Sequence, residues 1–123
     1  MKQPELPPVD ALDRVFHEPN RLAILSVLCA SDEPVSFTEL RDTCGLTDGN
    51  LNRHLKALED DNIIKIRKAF VDRKPRTTIA VTHTGLTRFQ TYVDALGVAL
   101  KHARASITPS KSVKFGTKII HAT

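Results

Sequence analysis

Residues 36–59 read SFTELRDTCGLTDGNLNRHLKALE, and this stretch decides the fold. Ser36 and Glu39 stand at capping-box spacing, so a helix should begin at Phe37. Gly45 follows Cys44 at the point where a helix needs a residue tolerant of positive φ in order to stop. Leu46 is the apolar residue inside the turn, and Thr47 can cap a second helix. That helix carries Leu51, Leu55 and Leu58 at i, i+4 and i+7. Two short helices joined by a tight glycine-containing turn form a helix-turn-helix.

On a wheel of about 100° per residue, the three leucines of the second helix gather on one side. Gly49, Arg53, Lys56 and Asp60 fall opposite, with Asn52 beside them and Asn50 at the border. Thr47, at the cap, completes this candidate set. The outward first turns are therefore small, amide and basic, types that hydrogen-bond base edges and phosphates. Glu59, Asp60 and Asp61 gather at the far end. The basic half is thus the N-terminal half, the one a recognition helix presents to the major groove. The alternative is an ordinary amphipathic helix with a solvated face, and the flanking segments weigh against it.

Downstream, Asn62 should end the helix, and Ile64 and Ile66 then alternate with Lys65 and Arg67, the period of a half-buried strand. Thr77, Ile79 and Val81 form a second such run. Between them AFVDRKPR (69–76) is rich in turn formers and positive charge, so a β-hairpin with a basic tip is expected. Lys68, Arg73, Lys74 and Arg76 are its candidate contacts to a phosphate backbone or a minor groove. The alternative is that these charges only keep an exposed edge soluble. Thr82 can cap a long final helix, where Leu86, Phe89, Val93, Leu96 and Leu100 follow a heptad spacing widened by Ala95, Ala99 and Ala103. A second copy is expected to cover this stripe, with Phe89, Val93, Leu96 and Leu100 meeting it and Leu12 and Phe16 contributing from the N-terminal side. The alternative is that the N-terminal helix covers the stripe within one chain.

Upstream, residues 1–8 hold Pro4, Pro7 and Pro8 and read as a loose leader. Val9 to Phe16 reads as a short helix with Leu12, Val15 and Phe16 on one face, broken at His17-Glu18-Pro19. Pro19 suits the first turn of the next helix, which should run to about Ala30 with Leu22, Ile24, Leu25 and Leu28 inward. Residues 31–34 form a loop, and Val35 is expected as a stub of strand against the hairpin. At the other end, residues 105–123 are a basic tail, either mobile or docked as a short strand. The expected organisation is therefore a leader (1–8), one domain (9–104) and a tail (105–123).

The 123 residues suit one domain rather than two. A net charge of +4 permits an anionic partner without requiring one. Its distribution says more: residues 63–82 hold Lys65, Arg67, Lys68, Arg73, Lys74 and Arg76 against Asp72 alone. Cys29 and Cys44 fall on expected helices without C-x-x-C spacing and read as small buried apolar residues. The start MKQPELPPVD lacks the apolar core of a signal peptide, and no apolar run approaches a membrane span. A soluble cytoplasmic protein without membrane contact is expected. Catalysis finds little support. His17-Glu18 lacks the second His of a zinc protease, Asp60-Asp61 has no nearby nucleophile, and no glycine-rich phosphate loop is present. His54 falls beside the leucine face and reads as a packed histidine. No enzyme activity, cofactor or metal is expected.

The order helix, helix, helix-turn-helix, basic hairpin, long helix resembles the winged-helix transcriptional regulators of the MarR and ArsR type. HEPNRLAILSVL (17–28) is similar to their second helix. LTDGNLNRHLKALEDDNIIKI (46–66) is similar to their recognition helix and first wing strand. RKPRTTIAVTHTGLTRF (73–89) is similar to the second wing strand and the T-x-x-G start of the last helix. The resemblance implies a mainly α fold with a β-hairpin wing (α+β) and a long C-terminal dimerisation helix. It also implies a homodimeric DNA-binding regulator with two recognition helices in successive major grooves of double-stranded DNA, and a chain with no activation surface is expected to be a steric repressor. The departures concern regulation. Metal sensors of the ArsR type place paired cysteines on the first helix of the helix-turn-helix, where this chain has Ser36 and Thr38 and only Cys44 at the end. Their Asp-x-His arrangement is also missing, since Ala95 and Leu96 follow Asp94. No residue marks a small-molecule effector. A winged-helix module that docks proteins instead of DNA is the alternative function, and it would show an acidic or apolar helix face where this chain has Arg53 and Lys56.

Overall fold

The computed structural model describes residues 5–107 and, beyond them, the strands 113–115 and 118–120. The expectations for residues 1–4 of the leader and for most of the 105–123 tail lie outside the described residues. Among the described residues four α-helices carry the chain: α1 (Pro19–Ala30), α2 (Phe37–Cys44), α3 (Asp48–Asp60) and α4 (His83–Ser106). Between them run β1 (Val35–Ser36), β2 (Ile64–Val71) and β3 (Lys74–Val81), and β4 (Val113–Phe115) pairs antiparallel with β5 (Lys118–Ile120) near the end.

Each helix starts where a side chain can satisfy a free backbone N–H. The Glu18 carboxylate accepts from Arg21 N at 2.8 Å with Pro19 in the first turn of α1. Ser36 Oγ accepts from Glu39 N at 3.1 Å to open α2. Gly45 then adopts φ +66°, and its N–H and that of Leu46 close the end of α2. Thr47 Oγ1 accepts from Asn50 N at 3.2 Å to open α3. At the head of α4, Thr82 Oγ1 accepts from Gly85 N at 2.8 Å and donates to the Asn62 carbonyl at 2.7 Å. The T-x-x-G pattern therefore joins the start of α4 to the end of the recognition segment. Its glycine is demanded by space: a Cβ at Gly85 would stand 2.1 Å from the carbonyl oxygen of Ile63.

The sheet order is β1–β3–β2, antiparallel throughout. Val35 pairs with Ile79, so the expected strand stub is present and its partner is the wing's second strand. Ile64 pairs with Val81 and Ile66 with Ile79, and these rungs close one side of the core. The core itself is built from Ile24, Leu25 and Leu28 of α1, Leu40 of α2, Leu51, Leu55 and Leu58 of α3, and Phe89 and Tyr92 of α4.

Two expectations are corrected at the N-terminal side. The expected helix from Val9 to Phe16 is a single 3-10 turn over Val9–Ala11 followed by a turn ending at Phe16. Asp13 Oδ1 accepts from Val15 N at 3.2 Å, a local bond that competes with the helical ladder. Phe16 and Phe89, taken as dimer positions, are core positions of the single chain, with 0% and 6% exposure. Their rings meet edge to face at 5.2 Å, and Tyr92 lies 5.5 Å from Phe16. The N-terminal segment thus covers the first half of α4 within one chain. Leu12 and Leu96 are half-buried against the same core, whereas Val93 and Leu100 remain 41% and 60% exposed.

Candidate nucleic-acid interface

α3 buries Leu51, His54, Leu55 and Leu58 and leaves the rest of its surface outside. Thr47, Gly49, Asn50, Asn52, Arg53 and Lys56 are all exposed. Their mutual bonds are weak ones. Arg53 Nη2 reaches Asn50 Oδ1 at 3.4 Å, and Lys56 Nζ lies 3.7 Å from Asp60 Oδ1 one turn on. An exposed i, i+4 pair of this kind contributes at most a few tenths of a kcal/mol, about 0.3–0.5, so the lysine is free to change partners. Asp48, the one acid in the first turn of α3, is held by Arg41 Nη1 at 2.9 Å, while Arg41 Nε binds Asp42 at 2.9 Å. Arg41 therefore neutralises the carboxylate that would oppose an approaching phosphate, and it ties α2 to the head of α3.

Two further attachments fix α3, and neither is signalled by local sequence. Arg88 of α4 donates to Asp13 Oδ2 at 2.8 Å and to Asp61 Oδ2 at 3.1 Å, joining the N-terminal turn, the end of the recognition segment and α4. Asp61 and Asp13 hold the guanidinium pKa still higher than its ordinary value. His54 sits under the helix, only 5% exposed, with neither ring nitrogen hydrogen-bonded. Its Nδ1 lies 3.8 Å from Glu18 Oε2. Burial pushes the imidazole pKa down; the Glu18 charge opposes this, and Arg21 and Arg53 add to it. Burial pushes Glu18 up, but the N–H groups of Arg21 and Asn20 and the charge of His54 outweigh it, so its carboxyl sits low. The packed reading of His54 agrees with this position.

The hairpin turns at Asp72 and Arg73, with φ 51° and 66° and Val71 paired to Lys74. A two-residue loop with both central φ positive is the turn whose twist matches the strands. It is made here without glycine. Lys68, Arg73, Lys74 and Arg76 are exposed. Among the described residues none of these four forms an ion pair. Phe70, which sequence reading passed over, is 78% exposed in the same place. Cys29 and Cys44 are free and half-buried, and burial pushes both thiols up. Among the described residues no group of His, Cys, Asp or Glu is placed to hold a metal, and no helix is long and apolar enough to cross a membrane.

A helix-turn-helix followed by an antiparallel hairpin and closed by a long helix is a winged helix. The winged helix DNA-binding domain family matches residues 20–100, and the chain belongs to it. An uncharacterised protein of Methanocaldococcus jannaschii is 32% identical over 80 residues, which cover 65% of this chain and 86% of that one. A transcriptional regulator homologue from Pyrococcus horikoshii OT3 superposes with a TM-score of 0.69 at 25% identity, over 77% of this chain and 91% of that one. The fold is also that of MarR-family regulators. Sco3205 of Streptomyces coelicolor, a MarR-family transcriptional regulator solved in complex with DNA, gives a TM-score of 0.62 at 18% identity, over 81% of this chain and 69% of that one.

Proposed function

We propose that this protein is a cytoplasmic, dimeric, sequence-specific regulator of transcription that represses by occupying double-stranded DNA. The observation that carries the reading is the outward arc of α3. Gly49, Asn50, Asn52, Arg53 and Lys56 are exposed on the N-terminal half of a helix whose other face is core. Amide and guanidinium groups there match base edges in a major groove, and the four wing cations match phosphates or the adjacent minor groove. Relatives of the same fold, Sco3205 and the Mycobacterium tuberculosis regulator MOSR, were solved in complex with DNA. Blocking an operator needs nothing beyond binding, so repression is the simplest output.

Dimerisation rests on the outer row of α4. Leu86, Val93 and Leu100 recur every seven residues and are 44%, 41% and 60% exposed. Gly97 lies on the same row with nothing within 4 Å of where its Cβ would be, so a partner helix has room to come close. Two copies should then read half-sites about 10 base pairs apart, or a multiple of that, centre to centre.

The test is a pair of substitutions titrated against a duplex enriched from a random pool. Arg53→Ala should lose roughly 1–3 kcal/mol on the preferred site and flatten preference at one base position. Lys74→Ala should weaken all sequences about equally and lower the salt slope by about one unit. If both variants keep wild-type affinity and salt dependence, the DNA reading fails and the protein-docking alternative takes its place.

A further inference from the structure

The wing carries an apolar pair at its tip that the fold does not use. Along β2 the residues Ile64, Ile66, Lys68 and Phe70 alternate onto one face, and across from them stand Val81, Ile79, Thr77 and Pro75 of β3. The row begins as core, with Ile64 and Ile79 buried and Ile66 half-buried. It then leaves the domain. Phe70 lies four residues beyond Ile66, about 13 Å along the strand, paired with Pro75 and 78% exposed. Neither ring supports the core, and the tip is a poor surface for an apolar protein partner. Lys68 shares the face of the pair, Lys74 and Arg76 alternate onto the other face of the ribbon, Arg73 stands in the turn, and Asp72 is the one acid of the hairpin.

An apolar ring displayed among unpaired cations fits a polyanion with flat apolar interiors. We propose that Phe70, backed by Pro75, is a wedge that enters the minor groove and partly unstacks one base step beside the major-groove site. This rests on the DNA-binding reading and adds a role to the wing, because cations hold the backbone or read the width and A·T content of a minor groove but do not unstack a base step. The minor groove is about 6 Å wide, so a two-stranded ribbon with its side chains does not fit within it and the tip side chains must do the reaching. An inserted phenyl ring kinks the duplex and selects steps that unstack easily, such as TA or CA. Specificity would then extend to positions that α3 does not touch.

The experiment uses the full chain and the duplex it enriches from a random pool, carrying 2-aminopurine in the flanking steps and a dye pair at the ends. The wild-type protein should raise the fluorescence of one flanking 2-aminopurine and shorten the end-to-end distance. Phe70→Ala should abolish both signals and weaken binding about tenfold, the order expected for one base-aromatic contact. Its salt slope should stay unchanged, because the cations remain. Phe70→Leu should keep the bend. The exposed ring contributes little to the core, so both variants should retain the wild-type melting temperature. Unchanged affinity, bend and fluorescence in Phe70→Ala would overturn the wedge and leave the DNA reading standing. An altered sedimentation of Phe70→Ala with unaltered DNA bending would assign the ring to a second copy, and also overturn it. A wild-type protein that binds no duplex at low salt would remove both proposals together.

Discussion

Replacing Gly49 by alanine separates what the fold needs from what the partner needs. Gly49 is exposed in the first turn of α3, and a Cβ built there meets nothing within 4 Å. Its backbone is helical, so alanine can adopt the same angles. Nothing in the single chain therefore explains a residue that lowers helix stability by roughly 0.5–1 kcal/mol relative to alanine. Gly49→Ala should raise stability by about that amount, which for a domain of this size is roughly 2–6 °C in melting temperature. The binding prediction has the opposite sign. A methyl group at this point stands on the face proposed to meet DNA, where it would push the duplex back by more than the tolerance of a hydrogen bond. Loss of about tenfold in affinity, roughly 1.4 kcal/mol, is expected. Calorimetric melting and fluorescence anisotropy on the enriched duplex measure the two effects separately. A variant that is more stable and binds as well as wild type would show that no partner approaches Gly49 closely. The recognition face would then have to be moved along the helix.

Other outcomes follow from the same geometry. Gly85→Ala should destabilise by about 3 kcal/mol or more, because the clash is with the backbone oxygen of Ile63 rather than a movable side chain; a melting temperature within a degree of wild type would contradict the close approach. Val93→Glu with Leu100→Glu should convert a dimer at micromolar concentration into a 13.6 kDa monomer with unchanged helical circular dichroism, since both side chains are exposed in the single chain; sedimentation equilibrium decides. His54 gives a pH signature. Its folded pKa is depressed by burial, so the unfolded chain binds the proton first as pH falls. Stability should be full above about pH 6.5, the ordinary imidazole value, and decline as pH drops through the folded value. His54→Leu should flatten that decline in denaturant titrations between pH 7 and 5, and an equal decline in the variant would place its cause elsewhere.

The helix-turn-helix was legible because its signals are short. Ser36, Gly45, Thr47 and Thr82 each act on a backbone group within three residues, and the structure shows each at its end of a helix. The seam on α4 was only half legible. A repeat of Leu86, Phe89, Val93, Leu96 and Leu100 specifies an apolar stripe but not which edge its own domain takes. The buried edge is Gly85, Phe89, Tyr92 and Ala95, rotated from the seam. Tyr92 lies off the heptad spacing, and its hydroxyl meets His17 Nδ1 at 3.0 Å while the ring packs inside. At Val9–Phe16 the local bond of Asp13 to Val15 N replaces a helical turn, and the same carboxylate takes part in the Arg88 clamp. Asp13 is engaged by a residue 75 positions away, and no local pattern reports that. In the site, exposed charge was readable from the chain, whereas the exposed ring of Phe70 depended on how far the hairpin runs past the core.

The clamp also links the two halves of the proposed activity. α3 is gripped at its head by Arg41 of α2, beneath by packing of His54 near Glu18, and past its tail by Arg88 of α4. Three attachments to three parts of the chain leave the recognition helix little freedom to rock, which a site that must match base edges requires. Arg88 belongs to the helix that also carries Val93 and Leu100. A dimer built on that outer row would therefore set the separation and angle of the two recognition helices through one rigid element per copy. Removing Arg88 would loosen that transmission while leaving every proposed DNA contact in place. Arg88→Met keeps an unbranched side chain of similar reach and deletes the guanidinium, which lies 5.8 Å from the centre of the Phe16 ring. It should leave binding to an isolated half-site nearly unchanged and weaken binding to the full inverted repeat. Equal losses on both duplexes would mean that Arg88 serves the fold alone.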